Sequence, residues 1–125
     1  MYRKILKSKI HRAKVTDVNL DYEGSISLDP VLMKSANIVE YEKVHILDIT
    51  NGNRIETYII RGKRGSGEVC INGAAAHLVD KGDLVIILSY CQLSEKEYIN
   101  YKPIIVHVND SNRVLSVCNK NQILI

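Results

Sequence analysis

The chain contains neither Phe nor Trp. Its core must therefore come from Ile, Val, Leu and Ala, and β-branched residues of that kind favour the pleated, half-buried surfaces of a sheet. The 125 residues suit one domain and are enough to bury a core. A net charge of +3 is too weak to argue for nucleic acid by itself and suits an anionic small molecule equally well. Cys70, Cys91 and Cys118 are odd in number, widely spaced and without a Cys-x-x-Cys. They read as neither a disulfide framework nor a zinc site, and fit a reduced, cytoplasmic setting. Met1 to Lys7 lacks the apolar run of a signal peptide, and no stretch approaches the roughly 18 apolar residues of a membrane span.

Turn signals divide the chain. Val15 to Leu20 reads as a strand leading into Asp21-Tyr22-Glu23-Gly24-Ser25. Asp29-Pro30 reads as a helix start, with an acceptor at the N-cap and Pro at the first helical position, for a short helix Val31 to Ala36. Lys43 to Thr50 and Arg54 to Arg61 are β-rich runs flanking Asn51-Gly52, a strong hairpin signal. Arg61 to Gly67 is a glycine-rich loop, Val69 to Ile71 a short strand, and Ala74 to His77 a helical turn. Asp83 to Ser89 resembles a strand buried on both faces. Ser94 and Glu97 have capping-box spacing, and Ile104 to Val108 with Arg113 to Val117 make a last strand pair. Short strands with regular turns predict a mainly β single domain, a small β-barrel with short helices.

Several residues have chemical potential. His11, His45, His77 and His107 form no metal-ligand spacing, so no metal site is expected. The Arg61-to-Gly67 loop could cradle an anion but lacks a P-loop ending, and reads more simply as solvated. Lys9, His11, Arg12 and Lys14 alternate in charge-bearing positions; on a regular strand Lys9 and His11 take one face, Arg12 and Lys14 the other. Arg54 and Tyr58 share a side of their strand and Thr57 takes the opposite one. Arg suits carboxylate binding and Tyr can deliver a proton. Gly24-Ser25 could undergo attack of the Ser25 hydroxyl on the Gly24 carbonyl if the peptide is held strained. Alone, it is an ordinary turn dipeptide, and Gly65-Ser66 repeats it.

In order and spacing, Lys9-Ile10-His11-Arg12-Ala13-Lys14-Val15-Thr16, Tyr22-Glu23-Gly24-Ser25, Thr50-Asn51-Gly52-Asn53-Arg54, Thr57-Tyr58, Arg64-Gly65-Ser66-Gly67 and Asn72-Gly73-Ala74-Ala75-Ala76-His77 together resemble the aspartate 1-decarboxylases. The resemblance implies a double-psi β-barrel and a homotetramer with active sites between subunits. It implies self-cleavage of the single 1–125 domain into a β chain, 1–24, and an α chain, 25–125, headed by a pyruvoyl group made from Ser25. The implied reaction converts L-aspartate to β-alanine for pantothenate and coenzyme A synthesis, with no metal, nucleic acid or membrane. Ser25 would supply the carbonyl for a Schiff base with substrate, and Tyr58 would be the proton donor. Arg54 and Lys9 would hold carboxylate, and Asn72, Gly73, Ala74 and Ala75 would line the pocket. Thr57 would hydrogen-bond the Gly24 carbonyl and favour cleavage, with His11 and Tyr22 nearby. Some relatives use a helper protein to mature. Ile26 stands where some relatives carry Cys, and the tail after Pro103 is less family-like. The competing reading is a non-catalytic basic β-barrel that binds nucleic acid through Lys7, Lys9, Arg12, Lys14, Lys63 and Arg64; the lack of Phe and Trp for base stacking weighs against it.

Overall fold

The computed structural model describes residues 1–119. Nine strands carry the fold: β1 (Tyr2–Lys14), β2 (Asp17–Asn19), β3 (Ser25–Leu28), β4 (Lys43–Asp48), β5 (Arg54–Arg61), β6 (Val69–Asn72), β7 (Leu84–Ser94), β8 (Ile104–Val108) and β9 (Val114–Cys118). Helix α1 (Pro30–Ala36) follows β3, a 3₁₀ turn (Gly73–His77) follows β6, and α2 (Glu95–Tyr98) follows β7. The sheet order is β2-β6-β3-β5-β4-β7-β1-β8-β9. The mainly β expectation holds. The expected barrel closure is not among the described pairings, which end openly at β2 and β9.

The core is aliphatic. Ile10, Ile26, Ile46, Ile59, Ile71 and Ile87 are fully buried on the inner face, each worth roughly 1.5–3 kcal/mol of burial. Caps fall where the sequence places them. The Asp29 side chain accepts from the Val31 N–H, Pro30 opens α1, and Asn37 closes it in the left-handed region at φ 54°. Ser94 and Glu97 form the reciprocal capping box. The Asn51-Gly52 signal marks a real hairpin, but a longer one. Strands stop at Asp48 and resume at Arg54, and the Asp48 carboxylate accepts from the Thr50 and Asn51 N–H groups.

Long strands were harder to delimit. The Val15–Leu20 strand is replaced by β1, which ends at Lys14, and by a three-residue β2; β7 runs on to Ser94. The reason is irregularity in β1. Ile10 faces Ile87 and Ala13 faces Val85, so His11 and Arg12 together oppose one residue, and Arg12 takes φ 65°. This bulge resets the alternation. Ala13 returns to the core in place of Arg12, so Lys14 lies off the core face, as Lys9 and His11 do, against the expected opposition. A second irregularity falls at Lys7, between the pairs Leu6–Tyr90 and Ser8–Ser89. Lys7 is buried; its Nζ donates to the Asn37 carbonyl (2.6 Å) and to Glu42 Oε2 (2.7 Å). Ser89 Oγ donates to the same Glu42 oxygen. Lys7 is thereby withdrawn from the basic surface that a nucleic-acid reading requires.

Candidate active site

Strands β3 and β6 run antiparallel with Ser25 opposite Asn72 and Ser27 opposite Cys70. Alternation puts these four on one face, while Ile26, Leu28, Val69 and Ile71 fill the core from the other. Asn72 Nδ2 donates to Ser25 Oγ (3.1 Å) and to Ser27 Oγ (3.0 Å), and Cys70 Sγ donates to Asn72 Oδ1 (3.3 Å). Ser25 Oγ donates in turn to the Glu23 carbonyl (3.0 Å). Ser25 is 1% exposed and Asn72 2%. A hydroxyl this buried, with both partners fixed, has one orientation.

Strand β5 lies parallel to β3 on its other side, with Ile26 opposite Ile59. Continuing that register sets Ser25 beside Tyr58 and Gly24 beside Thr57. Ser25 and Tyr58 both border an open cavity of about 320 Å³, with Tyr22 and Tyr41 as further walls. Glu40 and Arg61, an ion pair at 3.7 Å, lie at the same cavity. Tyr41 holds its place with φ 72° and a bond from its N–H to the Ile59 carbonyl (2.7 Å). A larger cavity, about 430 Å³, opens between α1 and the β8–β9 pair. Its lining, Val31, Ile104, Val114 and Val117 with Lys34 and Arg64, contains none of the motif residues but Arg64.

Gly73 has φ +78°, and a Cβ there would sit 2.6 Å from Gly24 Cα and 2.8 Å from Gly24 N. The backbone of the Asn72-Gly73 turn thus presses on the Gly24-Ser25 segment in a way open only to glycine. Gly24 itself is not in the left-handed region and has open space around it. The conformation reserved for glycine thus belongs to Gly73, across the gap, and Gly24 shows no strain in its own φ. Ala74 is exposed and Ala75 half-buried in the following turn. Thr57 is half-buried on the inner face with Ile55 and Ile59, opposite Val44. Among the described residues no hydrogen bond joins it to Gly24.

Apart from Arg61, the cationic residues singled out in the sequence lie elsewhere on the sheet. Arg54 opens β5, four residues from Tyr58, or roughly 13 Å along the strand. It is exposed, and its Nη2 lies 3.3 Å from His45 Nδ1. Since Arg can only donate, His45 accepts at Nδ1 and presents Nε2 to Glu56 Oε1 at 3.0 Å. Lys9 is half-buried on β1, opposite Leu88 on β7, which in turn faces His45 on β4. His11 packs edge-on against His107 at 5.5 Å. Burial, then the charges of Lys9, His107 and Arg12, hold its pKa below the ordinary imidazole value. Within one chain, then, Ser25, Tyr22, Tyr58, Asn72 and Gly73 come together, whereas Lys9, His11 and Arg54 do not join them.

The glycine-rich loop is occupied from within. Asp29 accepts from the Gly65 N–H (2.9 Å) and the Gly67 N–H (2.8 Å) as well as capping α1. Burial opposes its charge, but those three N–H donors and the nearby Arg113 outweigh it and lower its pKa. The loop's anion is its own carboxylate. Among the described residues no group of His, Cys, Asp and Glu is arranged to hold a metal, and no helix is long and apolar enough to cross a membrane.

Ser27, Cys70, Glu40 and Tyr41 were absent from the sequence-level candidates. The first two had a signal: Ser25-Ile26-Ser27-Leu28 and Val69-Cys70-Ile71-Asn72 each alternate polar with apolar residues. Glu40 and Tyr41 had none, because they reach the cavity through the turn after α1.

Comparison with known proteins gives a consistent answer. A family profile described as aspartate decarboxylase matches residues 1–115. A protein of Caldicellulosiruptor bescii named aspartate 1-decarboxylase is 53% identical over 98% of this chain and 95% of its own. One of the same name from Corynebacterium efficiens is 56% identical over 95% of this chain and 88% of its own. Another, from Clostridium kluyveri, is 51% identical over 94% and 92%.

Proposed function

The chain belongs to the aspartate decarboxylase family, and on that premise we propose that it converts L-aspartate to β-alanine and carbon dioxide in the cytoplasm, using a pyruvoyl group made from its own Ser25 and feeding pantothenate and coenzyme A synthesis. The observation that carries this reading is the buried Ser25 hydroxyl, bonded to Asn72 and bordering the Tyr58 cavity, beside a Gly24 backbone on which Gly73 is pressed.

The chemistry of maturation consumes no reagent but water. Ser25 Oγ attacks the Gly24 carbonyl carbon, the Gly24–Ser25 C–N bond breaks, and the acyl group moves from nitrogen to oxygen as an ester. Loss of the Ser25 α-proton expels the Gly24 carboxylate and leaves a carbon–carbon double bond. That product tautomerises to an imine, and water releases ammonia and leaves a ketone. The site fits such a group: the Gly73 position has no Cβ to fill the space against Gly24, and an amide donor stands at Ser25 Oγ.

Once formed, the pyruvoyl group supplies a carbonyl for the substrate amine and an electron sink for the departing carboxylate. Tyr58, beside Ser25 in the β3–β5 register, delivers the proton to the α-carbon. Asn72, Gly73, Ala74 and Ala75 line the pocket, Tyr22 walls it, and Thr57 assists cleavage from beside Gly24. Arg54 and Lys9 bind substrate carboxylate. Their distance from Ser25 within one chain supports a homotetramer in which a neighbouring subunit brings the missing cationic residues, His11 with them, to each site.

Denaturing mass spectrometry of the purified protein tests maturation: two chains split between Gly24 and Ser25, the second beginning with a pyruvoyl group. A product assay should find β-alanine formed from aspartate. Fully cut protein that releases no β-alanine would overturn the proposal. Tyr58→Phe should still be cut but turn over about 100-fold or more slowly; unchanged turnover would remove Tyr58 from the proton-donor role.

A further inference from the structure

The hydrogen bonds around Ser25 depend on which way the Asn72 amide faces. Its Nδ2 has two protons, and two hydroxyl oxygens, Ser25 Oγ and Ser27 Oγ, stand within 3.1 Å. Its Oδ1 points at one donor, the Cys70 thiol at 3.3 Å. A serine hydroxyl can donate as well as accept, so nothing in Ser25 or Ser27 forbids the opposite orientation, with Oδ1 toward the hydroxyls. The thiol breaks that symmetry. Cys70 lies two residues before Asn72 on the same face of β6, opposite Ser27, and its backbone is fixed between β2 and β3.

We propose that Cys70 is a positioning residue for self-cleavage: by donating to Asn72 Oδ1 it turns the Asn72 amide so that Nδ2 meets Ser25. In that orientation Ser25 Oγ accepts from Asn72 and directs its only proton at the Glu23 carbonyl, which leaves an oxygen lone pair for the Gly24 carbonyl carbon. With the amide reversed, the Ser25 proton is drawn to Asn72 Oδ1 and the amide donor is lost. The inference rests on the assignment of Ser25 as the cleavage nucleophile. Two further features suit the role. Partial burial, followed by the negative charges of Asp17 and Glu68, raises the Cys70 pKa, so the sulfur keeps the proton it must donate. The thiol borders a shallow cavity with Thr16, Asp17, Ser66 and Glu68 and does not line the Tyr58 cavity, so it acts on the site from behind Asn72 rather than by touching substrate.

The test compares Cys70→Ser, which keeps a donor at the same reach, with Cys70→Val, which fills similar space without one. Freshly made chains are followed by denaturing mass spectrometry for cleavage at Gly24-Ser25, with thermal melting as a control on folding. Cys70→Ser should mature within about twofold of the parent. Cys70→Val should mature about two- to tenfold more slowly, the range one such hydrogen bond spans. Equal rates for Cys70→Val and the parent, or a Cys70→Ser as slow as Cys70→Val, would overturn the inference while leaving Ser25 as nucleophile. A parent that never cuts would instead count against the nucleophile assignment. NMR of the Asn72 side-chain amide protons, recorded on still uncut chains while Ser25 keeps its hydroxyl, reads the orientation independently of the cleavage rate. Slow exchange in parent and Cys70→Ser, lost in Cys70→Val, is expected; identical exchange in all three would refute it.

Discussion

The chain contains the same dipeptide twice, and the two copies differ in everything but their atoms. Ser25 is 1% exposed on the first residue of a strand held between two others, and its hydroxyl is bonded to Asn72 and to the Glu23 carbonyl. Ser66 is exposed in a loop; its hydroxyl donates to the Lys63 carbonyl and accepts from the Glu68 N–H. Gly65 uses its special backbone freedom at φ +78° to let the loop turn around Asp29. Gly24 does not, and its constraint comes from Gly73 across the gap. The same two residues thus sit in opposite surroundings: a buried hydroxyl with fixed partners in the first case, which suits the proposed nucleophile, and a locally satisfied turn in the second.

The sharpest way to break this comparison is to delete each hydroxyl. Ser25→Ala should remain one uncut chain with no activity, and Ser66→Ala should mature as the parent does, both read by denaturing mass spectrometry. Cleavage of Ser25→Ala at the same bond would end the distinction. Next in size is Gly73→Ala. Its Cβ would meet Gly24 backbone at 2.6 Å, so maturation should slow severely and stability fall by about 1–3 kcal/mol; normal maturation would show that the contact is incidental.

Asp29→Asn should destabilise the Gly65-Ser66 loop by about 1–3 kcal/mol at neutral pH. The sign with pH is fixed by the lowered pKa of Asp29. Its contribution is complete above the ordinary carboxylate range, near pH 4, and is lost as pH falls through the lower folded value. The melting difference between parent and variant should therefore be full at pH 7 and shrink below about pH 4; a difference that grows on acidification would contradict it. Smallest is the glycine pair itself. Gly65→Ala should cost about 1 kcal/mol for its positive φ, while Gly24→Ala, with a permitted φ and open space, should melt close to the parent.

Much of this was legible before any coordinates. Local chemistry announces itself: the Asp29-Pro30 start of α1, the Ser94–Glu97 box and the hairpin at Asn51-Gly52 each depend on residues a few positions apart. The pairing of Ser25 with Tyr58, Asn72 and Gly73 was anticipated by resemblance, and the register of β3 with β5 and β6 gives it a geometry. Other features depend on chain segments distant in sequence. Burial of Lys7 requires an irregular β1 and a carboxylate 35 residues away. Arg12 in a left-handed conformation has no local signal. Asp29 reads as a helix cap, and its grip on Gly65 and Gly67 emerges only once the loop folds back. For the apolar end of the tail, Ile123-Leu124-Ile125, the sequence leaves open packing against a subunit or loose order, and it lies outside the described residues.

Strand β1 has a last consequence. It lies between β7 and β8, and β2 pairs with β6 at the sheet's edge, so the segment before Gly24 supplies one interior strand and one edge strand. If the chain is cut before Ser25 as proposed, both strands can keep their pairings with the second fragment, with two molecules where there was one. Folding of the uncut chain is a unimolecular search; regain of the fold by cut protein after full denaturation is a second-order encounter between two fragments. Its yield should depend on concentration, and a melted sample should recover less at high dilution. Under the proposed cleavage, this hydrogen-bonded strand order would act as a ratchet, in which the fold is easy to keep and slow to regain.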